Sequence, residues 1–215
     1  MKAFTFRIIS AVLTIIFFSS LGFSQDSNDS KKMIDSLATK MFVDMNNRDY
    51  AAIMDMTHPK VFDLVPKETM ISAFKSMLEG NDEFSVEIPD EVPEFNISEV
   101  FKDDEEKSDF AFVTYDMEMA MTFKNESFDE AGKDTMIKMM KMQGMEATFE
   151  SDNTVNLKML NRMTVLIKDE STENRWAMIN YDPDSPLFFQ LLSAPVIEKA
   201  KSYYQDLMIA QKKKE

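Results

Sequence analysis

Residues 60–80, KVFDLVPKETMISAFKSMLEG, form the joint that most constrains this chain: a short apolar run, a proline, an amphipathic stretch and a glycine. Pro66 suits the first helical position, where its missing N–H would have no partner anyway, and Glu68 favours the positive end of the helix dipole. Gly80 can take the left-handed conformation that stops a helix. The spacing predicts a helix over 66–79 as the element around which the chain is arranged. Met70, Ile71, Phe74, Met77 and Leu78 recur on one face, so a large apolar surface has to cover them, with Phe74 at the centre of that contact.

Two further helices are expected before this one. Ser30 can cap a helix in which Met33, Ile34, Leu37, Ala38, Met41, Phe42 and Met45 recur at three and four, ending near Asn46 and Asn47. Asp49 caps a shorter one that stops before Pro59, because the residue ahead of a proline is pushed out of the helical region. From Glu83 the pattern changes to period two. Odd positions from Ala111 to Phe123 are apolar, and Thr114, Asp116, Glu118 and Thr122 lie between them, which predicts one buried and one wet face. A helix over 134–143, capped by Asp134 and stopped by Gly144, interrupts the strands, and a strand over 145–150 follows. The acidic turn at Asp103–Glu106 lacks the glycine and alternating oxygens of a calcium loop and is expected to be a solvated hairpin tip.

The odd pattern resumes over 155–168, and the polar turn 169–174 pairs it with 175–182. Setting Lys168 against Arg175 puts Ile167 opposite Trp176, Val165 opposite Met178, Met163 opposite Asn180 and Asn161 opposite Asp182. On that register Asn161, Asn180 and Asp182 interrupt an apolar inner face, with Tyr115 nearby and Trp176 deeper. They are the candidate ligand-binding residues, since polar groups facing inward need partners. A final helix is expected from Pro195 through Ile209, ending in the lysine run 212–214.

Residues 1–24 carry Lys2 and Arg7, then an apolar run from Ile8 to Phe18, then Gly22 and Ser24, the layout of a cleaved secretory signal. That run, at about 1.5 Å per residue, reaches roughly 16 Å, well short of the ~30 Å hydrocarbon core, so a membrane span is not expected once the leader is removed. Residues 25–29 are expected to be flexible, 30–193 to form one domain, and 194–215 to add a helix and basic tail. The formal charge is −14, and the leader takes away only basic residues. Such a surface repels phosphate backbones and anionic lipid, which sets nucleic acid and membrane partners aside. With no cysteine, no disulfide holds the fold. Twenty methionines invite a copper(I) reading, but they fall at strand and helix spacing on apolar faces, so core packing is the expectation and no metal or cofactor is implied. A single histidine, His58, does not make a histidine-based zinc site, and no catalytic triad is read from the sequence.

The early helices, the corner Thr57-His58-Pro59, the helix PKETMISAFKSML and the strand NRWAMINYD together resemble the NTF2-like (cystatin-like cone) superfamily, and most of all its exported bacterial members. The resemblance covers roughly 30–193. It implies an α+β fold in which N-terminal helices pack on a strongly curved antiparallel sheet, forming a cone open at one end, with a C-terminal helix. It also implies a polar role for His58 at the cone mouth. Two functions follow as expectations. The first is an exported, periplasmic or secreted, non-enzymatic domain that binds a small apolar molecule, a peptide or an envelope protein. The alternative is a cofactor-independent isomerase, dehydratase or cyclase, with Asp63 or Asp182 as base and Tyr115 or His58 as donor.

Overall fold

A sixteen-residue strand, Ser108–Phe123, runs through the middle of the molecule and is paired along both edges. The computed structural model describes residues 28–213 apart from 184 and 186, so the expected leader lies outside the described residues. In chain order the elements are helix α1 over 28–46, α2 (Tyr50–Met56), α3 (Lys60–Leu64), α4 (Lys67–Glu79), strands β1 (Phe84–Glu87), β2 (Phe95–Ile97), β3 (Phe101–Asp103) and β4 (Ser108–Phe123), α5 (Glu130–Met142), β5 (Met145–Phe149), β6 (Thr154–Lys168), β7 (Ala177–Asn180), α6 (Phe188–Leu191) and α7 (Ala194–Lys212). The fold is α+β, with one seven-stranded antiparallel sheet and a C-terminal helix. No helix among the described residues is long and apolar enough to cross a membrane.

Local chemistry accounts for most boundaries. Asp49 caps α2 by accepting the Ala52 N–H at 3.0 Å, and Gly80 ends α4 at φ 82°. Pro66 is the residue just before α4 rather than its first, and the apolar run ahead of it is the separate helix α3. Helix α5 begins at Asp129, whose carboxylate accepts the Gly132 N–H at 2.8 Å, not at Asp134. Residues 28 and 29, expected to be flexible, already belong to α1.

The sheet has two halves. β1, β2 and β3 pair with successive stretches of one edge of β4, while β6 pairs with the other edge throughout. Beyond β6, the half nearer Phe123 continues into β5 and the other half into β7. Between the halves the β4–β6 register shifts: Tyr115 faces Arg162 but Met117 faces Met159, so Asp116 stands opposite both Leu160 and Asn161. This is a β-bulge, with Asn161 at φ 51° in the left-handed region and its N–H bonded to Asp116 Oδ1 at 2.9 Å.

The bulge breaks the expected odd-residue rule along β6, whereas β4 keeps it, with its odd positions from Ala111 through Phe123 on one face. One face of the β7 half carries Ala111, Val113, Tyr115, Leu166, Trp176 and Met178 beneath α1, α2 and α4. The opposite face carries Phe110, Phe112, Met163, Val165, Ile167 and Ile179 beneath α6 and α7. Both faces are therefore buried here, and Thr114, expected to look outward, is only 4% exposed. The β5 half is covered on one face only, where Met136 and Met140 of α5 pack over Met119, Val155 and Leu157. Helix α7 is thus part of the core through Val196, Ile197 and Ala200, not an appendage to it. Helix α4 buries only Leu78 fully. Phe74, expected at the centre, is half-buried at the edge of the first cluster, so the organising element is the β4–β6 pair and not this helix.

Candidate functional site

A cleft of about 790 Å³ opens where β1 and β2 leave a gap along β4. β2 pairs with β4 only at 113–115 and β1 only at 120–123, and the intervening loop 88–94, with prolines at both 89 and 93, bows away from the strand edge. Phe42 and Met45 at the end of α1, Ile88 of the loop, Met117, Leu160, and Leu207 near the end of α7 give it an apolar lining. The rim is polar: Glu91, Glu94, Asp116 and Glu118 face a single cation, Lys158. Lys158 Nζ lies 2.8 Å from Glu118 Oε1, and that bond raises the lysine pKa against the opposing effect of burial.

Two sequence candidates belong to this cleft. Tyr115 lies at its base, its ring edge-on to Phe42 at 4.9 Å. Burial pushes its phenol pKa up, while a hydrogen bond with Thr164 works the other way. Asn161 joins the cleft as the bulge residue, and its side-chain amide donates to Gln211 Oε1, clasping β6 to the end of α7.

The other candidates are elsewhere, and the final hairpin has a different register from the expected one. Ile167 pairs with Ala177, Leu166 with Met178, Val165 with Ile179 and Thr164 with Asn180, one residue away from the expected pairing. Because side chains alternate, a slip of one residue exchanges the faces. Asn180 thereby comes onto the face of Thr164, Leu166 and Val113, yet it ends β7 and is exposed, as is Asp182 beyond it, and neither lines a cleft with Tyr115 and Asn161. Asp63 is exposed on α3, so neither carboxylate named as a base is enclosed by the fold.

Trp176 lines a second cleft, about 700 Å³, between α1, α2, the 57–59 corner and the turn that joins β6 to β7. Its ring is nine-tenths buried and belongs to the same cluster as Met178 and Leu166. The indole Nε1–H has no acceptor among the described residues, a state that costs on the order of 1–3 kcal/mol when it persists.

His58 is 1% exposed, behind one wall of that second cleft. Its Nε2 lies 3.2 Å from Ser171 Oγ and 3.3 Å from Asp169 Oδ2, a serine–histidine–aspartate cluster that sequence reading missed because Ser171 and Asp169 sit in a turn more than a hundred positions away. The roles are wrong for nucleophilic catalysis. Nδ1 accepts the Lys60 N–H at 3.3 Å, which leaves the ring proton on Nε2, the nitrogen that would have to be bare to activate the serine. Ser171 instead donates to Asp169 Oδ1 at 2.7 Å. Burial lowers the His58 pKa, with Asp169 opposing. At Asp169 burial acts upward, but hydrogen bonds from Ser171 and the Thr172 N–H, together with His58, outweigh it and hold the pKa below the usual value. The cluster braces the 169–174 turn, and the His58 N–H completes the brace by bonding to Met178 O at 2.9 Å.

Asp103, read as part of a solvated tip, is 3% exposed. Its carboxylate accepts the N–H groups of Glu105 and Glu106 and the Ser193 hydroxyl, tying the β3–β4 turn to the start of α7, and its pKa is lowered, first by the Ser193 bond. Among the described residues no cluster of three or more His, Asp or Glu side chains could hold a metal ion. No family model, curated protein or solved structure matches the chain.

Proposed function

We propose that the chain is an exported, non-enzymatic binding domain of the NTF2-like kind, whose open cleft beside β4 takes a small apolar or amphipathic molecule. The observation that carries this reading is the cleft's construction: an apolar lining drawn from α1, the 88–94 loop, β4, β6 and α7, with every carboxylate on its exposed rim. A general base tuned by burial would sit inside such a lining, and the four acids here do not. The N-terminal helices α1, α2 and α4, packed together on one face of a single antiparallel sheet whose other face is partly covered by α6 and α7, support the fold-level part of the proposal, and the leader-like residues 1–24 support export.

A neutral solvatochromic dye titrated into the purified protein tests the reading. Saturable one-to-one binding is expected, weakened at least tenfold by Leu207→Glu or Leu160→Glu and unchanged by Trp176→Phe. Absence of saturable binding, or binding indifferent to both cleft substitutions, would remove the proposal. Mass spectrometry of small molecules that co-purify with the protein from its natural host then identifies the ligand.

A further inference from the structure

Strand β5 ends the sheet, and no strand among the described residues pairs with its outer edge. The Glu150 N–H bonds to Thr154 O at 2.9 Å, which fixes the alternation along the hairpin: Glu146, Thr148 and Glu150 turn their backbone groups to β6, and Met145, Ala147 and Phe149 turn theirs away from the sheet. Asn153, of the other parity, faces the opposite way and accepts the Phe123 N–H of β4, as this alternation requires. A row of three N–H and three C=O groups is thus presented to the outside. Such an edge pairs readily with another strand unless a proline, a lysine or a bulge blunts it, and Met145–Phe149, MEATF, has none of these. Elsewhere the sheet ends are occupied: Thr57 and the His58 N–H meet Met178 of β7, and Gly80 bridges Ser85 of β1, with Pro89 just beyond.

The side chains decide which strand fits. Two copies related by a twofold axis pair antiparallel, and their outward groups meet only with odd positions opposite odd positions. With Ala147 opposite Ala147 of the second copy, all three outward residues pair, Met145 meets Phe149, and Glu146 meets Thr148. A shift of two residues one way sets Glu146 opposite Glu146, and the other way sets Glu146 opposite Glu150, so like charges oppose both alternatives. The two ends of the hairpin also differ in charge. Lys133 binds Asp152, which places the start of α5, with Asp134, at the Phe149 end of β5 and its basic last turn at the Met145 end. Lys138 and Lys141 at one end, and Asp134 and Glu150 at the other, are exposed and form no ion pair among the described residues. Antiparallel self-pairing brings each basic end to the other copy's acidic end.

We infer that β5 is a self-association edge, where a second copy of this chain joins antiparallel about a twofold axis through Ala147 and the two sheets become one. Each copy contributes a five-residue strand and the helix beside it, a small interface, so a micromolar dissociation constant is expected rather than a permanent dimer. This surface is separate from the cleft of the proposed function, and the inference does not depend on that reading.

Sedimentation velocity of the purified protein, from low to high micromolar concentration, is expected to show a monomer–dimer equilibrium. Ala147→Pro removes the N–H at the axis but no bond to β6, and is expected to leave a monomer with the parent's circular dichroism. Thr148 is exposed, so its variants keep the test open should the proline variant fail to fold. Thr148→Glu sets a carboxylate opposite Glu146 of the second copy at two symmetric positions and is expected to weaken the dimer about tenfold, whereas Thr148→Lys is expected to tighten it severalfold. Glu87→Lys, on the same face but at the far strand β1, is the control for net charge and is expected to leave the dimer within about twofold of the parent. The inference is overturned if the protein stays monomeric throughout, if folded Ala147→Pro and Thr148→Glu proteins dimerise like the parent, if the two Thr148 variants shift the equilibrium in the same direction, or if Glu87→Lys tightens the dimer as much as Thr148→Lys.

Discussion

The β4–β6 pair runs unbroken through two regions that are covered very differently. In the half beside β7, Phe110–Tyr115 and Met163–Ile167 are buried on both faces, between α1, α2 and α4 on one side and α6 and α7 on the other. In the half beside β5, α5 covers one face and the other is open, with Glu118, Asn156, Glu146 and Thr148 lining a shallow polar surface. The contrast shows that the pattern along a strand records how many faces are covered, not merely whether a strand is present. The larger cleft lies at the boundary, where the bulge at Asn161 turns one regime into the other.

The sharpest way to break the comparison is to delete Asn161. Without the extra residue the two halves of β6 would share one parity, and either Met163, Val165 and Ile167 would exchange faces with Thr164 and Leu166, or Val155 and Leu157 with Asn156 and Lys158. Loss of cooperative unfolding is expected, seen as a broad thermal transition by circular dichroism. Asn161→Gly tolerates the left-handed conformation and should keep the cooperative transition. A deletion variant that melts like the parent would mean the bulge does not set the parity.

The next effect separates the halves by packing. Phe112, 0% exposed between Phe101, Phe110 and Tyr203, should lose about 3–5 kcal/mol as Phe112→Ala in chemical denaturation. Met121→Ala in the one-sided half, and Phe74→Ala at the edge of the first cluster, should each cost about 1–2 kcal/mol, because both side chains remain partly in water. Equal losses at Phe112 and Met121 would contradict the account of two-sided and one-sided burial.

How much of this was legible follows from the same contrast. The joint at Pro66 and Gly80, the cap at Asp49, and the strands over 108–123 and 154–168 are local chemistry and could be read within a residue or two. Two-sided burial was also written in the sequence, since Phe110 and Phe112 break the odd rule by making FAFV a continuous apolar run, the mark of a strand covered on both faces. The register was not legible: an asparagine within a strand gives no sign that it adopts φ 51°, and the apolar residues on its two sides happen to keep the same parity in number while facing opposite sides in space. Of the candidate residues, Tyr115 and Asn161 share a cleft, while Trp176 lines the second cleft and Asn180 and Asp182 are exposed at and beyond the end of β7. The brace of His58 by Asp169 and Ser171 depends on tertiary contact alone.

That brace gives the next prediction. The turn closing the two-sided half is held by a buried histidine, whereas the turn closing the one-sided half, 150–153, is held by the exposed Ser151 and half-buried Asn153. His58→Ala should cost about 1–3 kcal/mol at pH 8, because Asp169 and Ser171 lose a partner. The folded-state pKa of His58 lies below 6.5, so between that lower value and 6.5 the unfolded chain binds a proton that the folded chain does not. Stability from this site is therefore complete above pH 6.5 and declines as the pH falls below it. Asp169, whose pKa lies below 3.8, adds its own loss only in stronger acid. Chemical denaturation between pH 7.5 and 5 should show a slope that His58→Gln flattens; an identical slope in that variant would assign the pH dependence to another group.

The smallest effect is also the finest probe of the two faces, because it compares one substitution at two threonines. Thr114 is 4% exposed beneath α7, and its hydroxyl is the partner of the Tyr203 phenol, whose pKa burial raises and this bond lowers. Thr114→Val keeps the shape of the side chain and removes that partner, leaving a half-buried phenol with less to bond to, and should cost about 1 kcal/mol. Thr148 stands on the open face of β5, exposed, among groups that water already solvates. Thr148→Val removes no buried partner and adds a branched residue that suits a strand, so its effect should stay within about 0.5 kcal/mol of zero. Urea denaturation of the two variants in parallel checks the difference. Were Thr148→Val the costlier change, the face now described as open would have to be covered in solution, and the contrast between the halves would fail where it is most sensitive.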